Sequence, residues 1–285
     1  MDMITIQEPI KVKDLKSDVK PIWCPGCGDF GVLNAMLKAL SDLQLDPAHV
    51  VIASGIGCSG RFPAFVNAYG FHGVHGRVLP LATGIKVANP ELVVFAVGGD
   101  GDAFSIGAGH LPHAARRNVD ITYIVMDNEI YGLTKGQPSP TSPLGMEKKA
   151  SPYGTYDSPL NPLAMVLSYG ASFVARGFSS QPRELTELIK RGVRHVGFSF
   201  IQVISPCVTF YDTYAHFKES TAPIPEDHDP LDRAAAIKLA LEVNTQYLGV
   251  FYEEERAPHH MSVSQVWDKA GRDFSFEDLL KRFER

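Results

Sequence analysis

The sequence has no surplus of basic residues. Lysine and arginine number 27 against 32 aspartates and glutamates, giving a formal charge of −5. The electrostatic footprint of a nucleic-acid binder is therefore missing. Long hydrophobic runs are missing as well. The apolar stretches are of strand length, which argues against a membrane-spanning helix. Residues 1–20 mix charges with short apolar pieces and hold no signal-peptide core. There is no internal repeat and no low-complexity segment. Cysteine is scarce, at four in 285 residues. Together these absences point to a cytoplasmic protein, where thiols stay reduced unless a metal takes them. A hydrophobic content of 45% and a charged content of 21% suit an ordinary globular chain with a sizeable core.

Two glycine-flanked motifs carry the chemistry. The apolar run from Leu92 to Val97 leads into Gly98-Gly99-Asp100-Gly101-Asp102. The run from Ile121 to Met126 leads into Asp127-Asn128-Glu129-Ile130-Tyr131-Gly132. Two buried parallel strands would set a carboxylate and an amide at the same sheet edge, where open α/β sheets bind ligands. Asp100, the Asn128 side-chain oxygen and a nearby backbone carbonyl suit a hard cation such as Mg²⁺, with room left for phosphate oxygens. The glycines allow close approach of a diphosphate to the main chain.

The rest of the chain alternates in the same way. Residues 1–22 read as an extended arm, 23–215 as the binding domain and 216–285 as an irregular C-terminal extension. Asp29 can cap a helix whose apolar face is Val32, Leu33, Met36, Leu37 and Leu40. A strand at 50–53 ends in the small-residue loop 54–60. His75-Gly76-Arg77 leads into a short helix. Strand 92–97, helix 103–116 and strand 121–126 form a βαβ unit. Residues 132–163 carry six prolines (138, 140, 143, 152, 159 and 162) and no periodicity. Loops of that length are usually functional. Helix 163–169, strand 171–175, helix 181–193 and strand 198–204 follow, the last running into Ser205-Pro206-Cys207. Beyond it stand a helix near 230–243, a strand near 248–252, the acidic cluster 253–255, read as solvated surface, and a helix near 275–283.

The four cysteines are Cys24, Cys27, Cys58 and Cys207, all in turns rich in glycine, proline or serine. Four thiolates can complete a [4Fe–4S] cluster or a tetrahedral zinc site. Trp23-Cys24-Pro25-Gly26-Cys27 also looks like a thioredoxin-type redox motif, but a polar arm precedes it where that motif needs a strand. Buried, unrelated cysteines are the plain alternative. His72, His110 and His113 show no pairing that requires a metal.

Taken in order, Trp23-Cys24-Pro25-Gly26-Cys27-Gly28, Ile56-Gly57-Cys58-Ser59, His75-Gly76-Arg77, Gly99-Asp100-Gly101-Asp102 and Asn128-Glu129-Ile130-Tyr131-Gly132-Leu133-Thr134-Lys135-Gly136-Gln137 resemble the β subunit of 2-oxoacid:ferredoxin oxidoreductases. The branch they most resemble is the 2-oxoglutarate:ferredoxin oxidoreductases. The match spans roughly residues 20–215. The resemblance implies a thiamine diphosphate-binding α/β fold, with a mostly parallel sheet and helices on both faces. It implies one thiamine diphosphate with Mg²⁺ and one [4Fe–4S] cluster. It assigns the cluster to Cys24, Cys27, Cys58 and Cys207, and Mg²⁺ to Asp100, Asn128 and the Ile130 carbonyl. It places cofactor contacts at Ile56, Gly57, Cys58, Ser59, His75, Gly76, Arg77, Val78, Gly101, Asp102, Gly132 and Leu133. It makes Lys135 the contact to the substrate carboxylate. Asp127 is a departure, since asparagine is common there.

The activity so implied is oxidative decarboxylation of 2-oxoglutarate to succinyl-CoA and CO₂, with electrons leaving through the cluster to ferredoxin. The glutamate that activates thiamine has no motif here and is implied to come from an α subunit, in an α2β2 assembly. A pyruvate or branched-chain 2-oxoacid enzyme is the alternative substrate reading. A non-catalytic metal-binding interaction subunit is the alternative of another class; such a scaffold has no need of Asp100 and Asn128.

Overall fold

The computed structural model describes residues 8–270 and 275–284. In chain order the strands are β1 (Val50–Ser54), β2 (Tyr69–His72), β3 (Val93–Gly99), β4 (Ile121–Asp127), β5 (Ile130–Tyr131), β6 (Gln137–Pro138), β7 (Phe173–Phe178), β8 (Phe198–Ile204), β9 (Thr221–Pro223) and β10 (Gln246–Glu253). One sheet takes eight of them in the order β2-β1-β3-β4-β8-β7-β10-β9, and β5 pairs with β6 apart from it. From β2 to β7 every neighbouring pair is parallel. β10 runs antiparallel to β7. This is the mostly parallel α/β sheet expected of the sequence.

Side chains alternate across a strand, and here both faces are covered. Val94, Ala96, Tyr123, Val125, Phe198 and Phe200 feed one core. Phe95, Val97, Ile124, Met126, Ile201 and Val203 feed the other. Burial on both sides is why these strands read as unbroken apolar runs. Helices Val78–Ala88, Leu111–Arg117, Pro162–Ser168 and Arg233–Ala240 lie over the first core. Helices Asp29–Asp42 and Pro182–Arg194 lie over the second, and Val32, Leu33, Met36, Leu37 and Leu40 are its buried face.

Several local expectations are corrected. Asp29 does not cap its helix: Gly28 holds the cap position and makes no side-chain bond. The Asp29 carboxylate instead accepts the Ser205 hydroxyl at 2.7 Å. The helix expected at 103–116 is broken into Asp100–Phe104, a 3₁₀ turn Ala108–His110 and Leu111–Arg117. Gly107 and Gly109 weaken the middle, and Pro112 suits the first turn of a new helix. The extension after 215 is not wholly peripheral. Its strand β10 joins the main sheet, and a further helix, His259–Ala270, follows. Nor is the acidic cluster simply solvated. Glu253 pairs with Arg191, while Glu254 meets Arg233 at 3.1 Å and Arg256 at 3.6 Å. The described part of the arm, 8–22, has no helix, and it is tied down: Leu15 is buried and Ser17 Oγ donates to the Ala64 carbonyl at 2.6 Å.

Candidate active site

The loops after β1, β3, β4 and β8 leave the sheet at the same edge, because those strands are parallel. β2 lies on one side of β1 and β3 on the other, so the chain reverses direction there and opens a crevice. The cleft at this edge encloses about 510 Å³, counting solvent in its mouth. Ile56, Gly57, Cys58, Ser59, His75, Asp100, Gly101, Asp102, Asn128, Ile130, Gly132 and Leu133 line it. These are twelve of the sites singled out in the sequence, drawn from four separate segments.

Asp100 begins its short helix directly after β3, and Asn128 follows β4 directly. Gly99 stands opposite Met126 in the ladder, so the two residues leave adjacent strand ends. Asp100 and Asp127 are buried, and Glu129 is close to them. Burial, then the charge of Asp127, pushes the Asp100 carboxyl up. Burial likewise raises Asp127. Burial first, then Asp127 and Asp100, raises Glu129 to about 8. Three carboxyls crowded into a dry corner resist ionisation until a cation joins them. Asp100 and Asn128, oxygen-bearing side chains at adjacent strand ends in this corner, are of the kind a hard divalent ion takes.

A second corner fits an anion. Gly57 has φ of +116° and nothing within 4 Å of the position a Cβ would take, so its backbone is bare to the cleft. Asp102 Oδ1 accepts the backbone N–H groups of Ile56 at 2.8 Å and Gly76 at 2.7 Å. That holds the 56–59 and 75–76 loops together. Asp102 Oδ2 and His75 Nδ1 are buried without a hydrogen bond, and His75 Nδ1 lies 3.5 Å from Asp102 Oδ1.

The thiols gather beside these corners. Trp23 stacks edge-on against Phe30 and Phe65 at 5.4 and 4.8 Å between centroids, and its Nε1 donates to the Cys58 carbonyl at 2.7 Å. This fastens the Cys24–Cys27 turn to the Cys58 loop. The Gly28 N–H donates to the Pro206 carbonyl at 3.1 Å, and with the Asp29–Ser205 bond it fastens the same turn to Cys207. The Cys27 and Cys58 thiols both interact with that of Cys207, and Cys58 also with Cys24. Burial pushes the Cys27 thiol well up and the Cys58 thiol up to about 11. Thiols this reluctant to ionise are of little use as free nucleophiles, and a metal bound there would have to displace their protons. Among the described residues no group of three or more His, Cys, Asp and Glu is arranged as it stands to hold a metal ion.

Seven expected residues stand outside the cleft lining: the thiols Cys24, Cys27 and Cys207, and Gly76, Arg77, Val78 and Lys135. Gly76 acts through its N–H on Asp102. The Val78 side chain is in the core. Arg77 Nη1 donates to the Ile106 carbonyl at 3.2 Å and braces a turn. Lys135 is exposed at the rim, next to the lining residue Thr134. Sequence reasoning missed Thr141, whose hydroxyl reaches Asp100 and Asp127. Its signal was only that of a serine- and proline-rich loop. It also missed Tyr131 as a lid on Gly101, to whose carbonyl its hydroxyl donates at 3.1 Å.

Comparison with known proteins agrees with this architecture. A family profile described as thiamine pyrophosphate enzyme, C-terminal TPP binding domain, matches residues 49–203. A second profile, for the C-terminal region of the pyruvate ferredoxin oxidoreductase beta chain, matches 207–268. The chain is 44% identical to 2-oxoacid:ferredoxin oxidoreductase 1, subunit beta, of Aeropyrum pernix, over 85% of this chain and 80% of that one. It belongs to the β subunits of the 2-oxoacid:ferredoxin oxidoreductase family. Within that family it is 45% identical to the 2-oxoglutarate oxidoreductase subunit KorB of Mycobacterium tuberculosis, over 73% of this chain and 56% of that one. A solved structure of 2-oxoglutarate:ferredoxin oxidoreductase from Magnetococcus marinus with 2-oxoglutarate, coenzyme A and succinyl-CoA bound matches with a TM-score of 0.94 and 42% identity, covering 99% and 98% of the two chains. As a member of this family, the chain is a subunit of a thiamine diphosphate-dependent enzyme.

Proposed function

We propose that the chain is the β subunit of a coenzyme A-dependent 2-oxoglutarate:ferredoxin oxidoreductase. The observation that carries this reading is the meeting of two cysteines and Asn128 at Gly132. Around the position of its missing Cβ lie Cys207 Sγ at 3.6 Å, Cys58 Sγ at 3.7 Å and Asn128 Nδ2 at 3.9 Å. Two thiols and the side chain of Asn128 thus share one wall, as an enzyme that strips electrons from a bound 2-oxoacid requires; the Asn128 side chain presents its amide nitrogen here, while its Oδ1 accepts the Ile130 N–H at 3.1 Å. In this reading Asp100, Asn128 and the Ile130 carbonyl hold Mg²⁺, and Cys24, Cys27, Cys58 and Cys207 hold one [4Fe–4S] cluster. Ile56 to Ser59, His75 to Val78, Gly101, Asp102, Gly132 and Leu133 surround thiamine diphosphate. Lys135 meets the substrate carboxylate.

When bound, thiamine diphosphate supplies the electron sink for decarboxylation and the cluster supplies a one-electron exit. The chain's own part is placement. The bare backbone at Gly57 and the His75 ring would receive diphosphate oxygens, and Asp102 locks the two loops that carry them. In net terms, one 2-oxoglutarate and one coenzyme A give one succinyl-CoA, one CO₂ and one proton, with two electrons passing to ferredoxin. The catalyst is completed by an α subunit, and the assembly is cytoplasmic. The names of the KorB relatives and of the Magnetococcus marinus structure support 2-oxoglutarate. The profile over 207–268 keeps pyruvate as the second reading.

The cofactor content is directly testable. Chain purified without oxygen should carry about four irons, as the cluster formula requires, and Cys207→Ser should lower that content. Stoichiometric zinc without iron contradicts the cluster assignment.

A further inference from the structure

Thr141 sits at the centre of a row of buried polar side chains behind the cation corner. Its hydroxyl stands 3.0 Å from Asp100 Oδ2 and 2.8 Å from Asp127 Oδ1. Asp127 Oδ2 accepts Gln202 Nε2 at 2.7 Å, and Gln202 Oε1 accepts Arg176 Nε at 2.9 Å. All five residues are buried. Arg176 and Gln202 are register partners on β7 and β8, so the row crosses the sheet from its interior to the end of β3. Arg176 supplies the positive charge that offsets Asp127, through an amide whose two ends are both engaged.

Thr141 also belongs to a turn that fastens the long loop. The Ser139 N–H donates to Ser142 Oγ at 2.8 Å, and the Ser142 hydroxyl donates to the Glu129 carbonyl. The Leu160 N–H donates to the Pro140 carbonyl at 2.8 Å. The near and far parts of the loop 132–160 are therefore gathered at one point, and that point is bonded to the cation-site carboxylates. A hydroxyl carries one hydrogen, so Thr141 serves one of the two carboxylates at a time and bridges them. A brace that only pinned the loop would be better made of apolar groups, since burying a hydroxyl has a desolvation cost.

We propose that Thr141 is a positioning residue. By bridging to Asp127, it holds Asp100 in the orientation that receives the divalent cation, and it thereby couples cation binding to the order of the loop 132–160 that carries Lys135. The inference rests on the reading of Asp100 as a cation ligand.

The test uses the full chain purified together with its partner, stripped of cation and thiamine diphosphate by a chelator. Thiamine diphosphate is titrated by calorimetry across a series of Mg²⁺ concentrations, and hydrogen exchange of residues 132–160 is followed with and without both ligands. Thr141→Val should weaken Mg²⁺-dependent binding roughly tenfold or more, the effect of losing one bond to a charged group. Thr141→Ser, which restores the hydroxyl, should stay within about threefold of wild type. Exchange across the loop should slow on ligand binding in the wild type and in Thr141→Ser, but not in Thr141→Val. Wild-type affinity in Thr141→Val overturns the positioning role. Loop exchange that does not respond to ligands in the wild type overturns the coupling, whether or not any variant folds. Thr141→Ala stands in if valine does not fold. Asp100→Ala separates the two levels: if it too binds like wild type, the cation assignment itself is wrong; if it fails while Thr141→Val binds normally, only this inference falls.

Discussion

Lys135 occupies a left-handed turn at the rim of the cleft, with φ of +77°. Its N–H donates to the Gly132 carbonyl at 3.1 Å and the next N–H, of Gly136, to Tyr131 at 2.9 Å. A non-glycine residue held in this region by its surroundings is a mark of functional loops. An ammonium there can meet a carboxylate in a charge-assisted bond. Lys135→Ala keeps the same backbone constraint, so it reads the ammonium alone. We expect kcat/KM in the assembled enzyme to fall about ten- to hundredfold, the range for a lost hydrogen bond to a charged group. Unchanged kcat/KM would make it a solvated loop lysine. Every 2-oxoacid has the carboxylate at C1, so Lys135 cannot by itself select the dicarboxylate; a second cation must meet the distal end. Asp127 is unusual in a different way. It is a second buried carboxylate beside Asp100, and its oxygens are taken up by Thr141 and by Gln202, with Arg176 behind the amide.

Among the elements, β3 and β4 were legible because both their faces are buried and the glycine motifs mark their ends. β2 was not: Tyr69-Gly70-Phe71-His72 lies exposed at the sheet edge, and its pairing comes from a neighbour rather than from its own pattern. The position of β10 was equally hidden, because an antiparallel strand that adds to β7 has no local signature of its partner. The site was legible where it depends on short motifs, as at Asp100 and Asn128. It was illegible where it depends on long-range contacts, as at Thr141 and Ser205. Asn118 shows how such contacts hold the elements. It ends helix Leu111–Arg117 in a left-handed conformation. Its Oδ1 accepts the Phe198 N–H at 2.9 Å and the Ser172 hydroxyl at 2.6 Å, and its Nδ2 donates to the Arg256 carbonyl at 2.8 Å. Asn118→Ala strands these partners in the interior and loses a residue suited to that backbone, so it should cost about 3 kcal/mol or more. Urea unfolding reads this directly; a change below about 0.5 kcal/mol, as for an ordinary surface position, contradicts it.

At the scale of the molecule, the sheet brings four sequence-distant segments to one edge, and Gly132 stands between the Cys58 and Cys207 thiols and the Asn128 amide. No helix among the described residues is long and apolar enough to cross a membrane. In the proposed reading, the glutamate that thiamine activation needs comes from the α partner. The decisive measurement is ferredoxin reduction by the assembled α and β subunits, assayed with coenzyme A and either 2-oxoglutarate or pyruvate. We expect reduction that requires both the α partner and coenzyme A, with the higher kcat/KM on 2-oxoglutarate and succinyl-CoA as product. Preference for pyruvate would contradict the substrate assignment, and no reduction with any 2-oxoacid would contradict the catalytic reading itself.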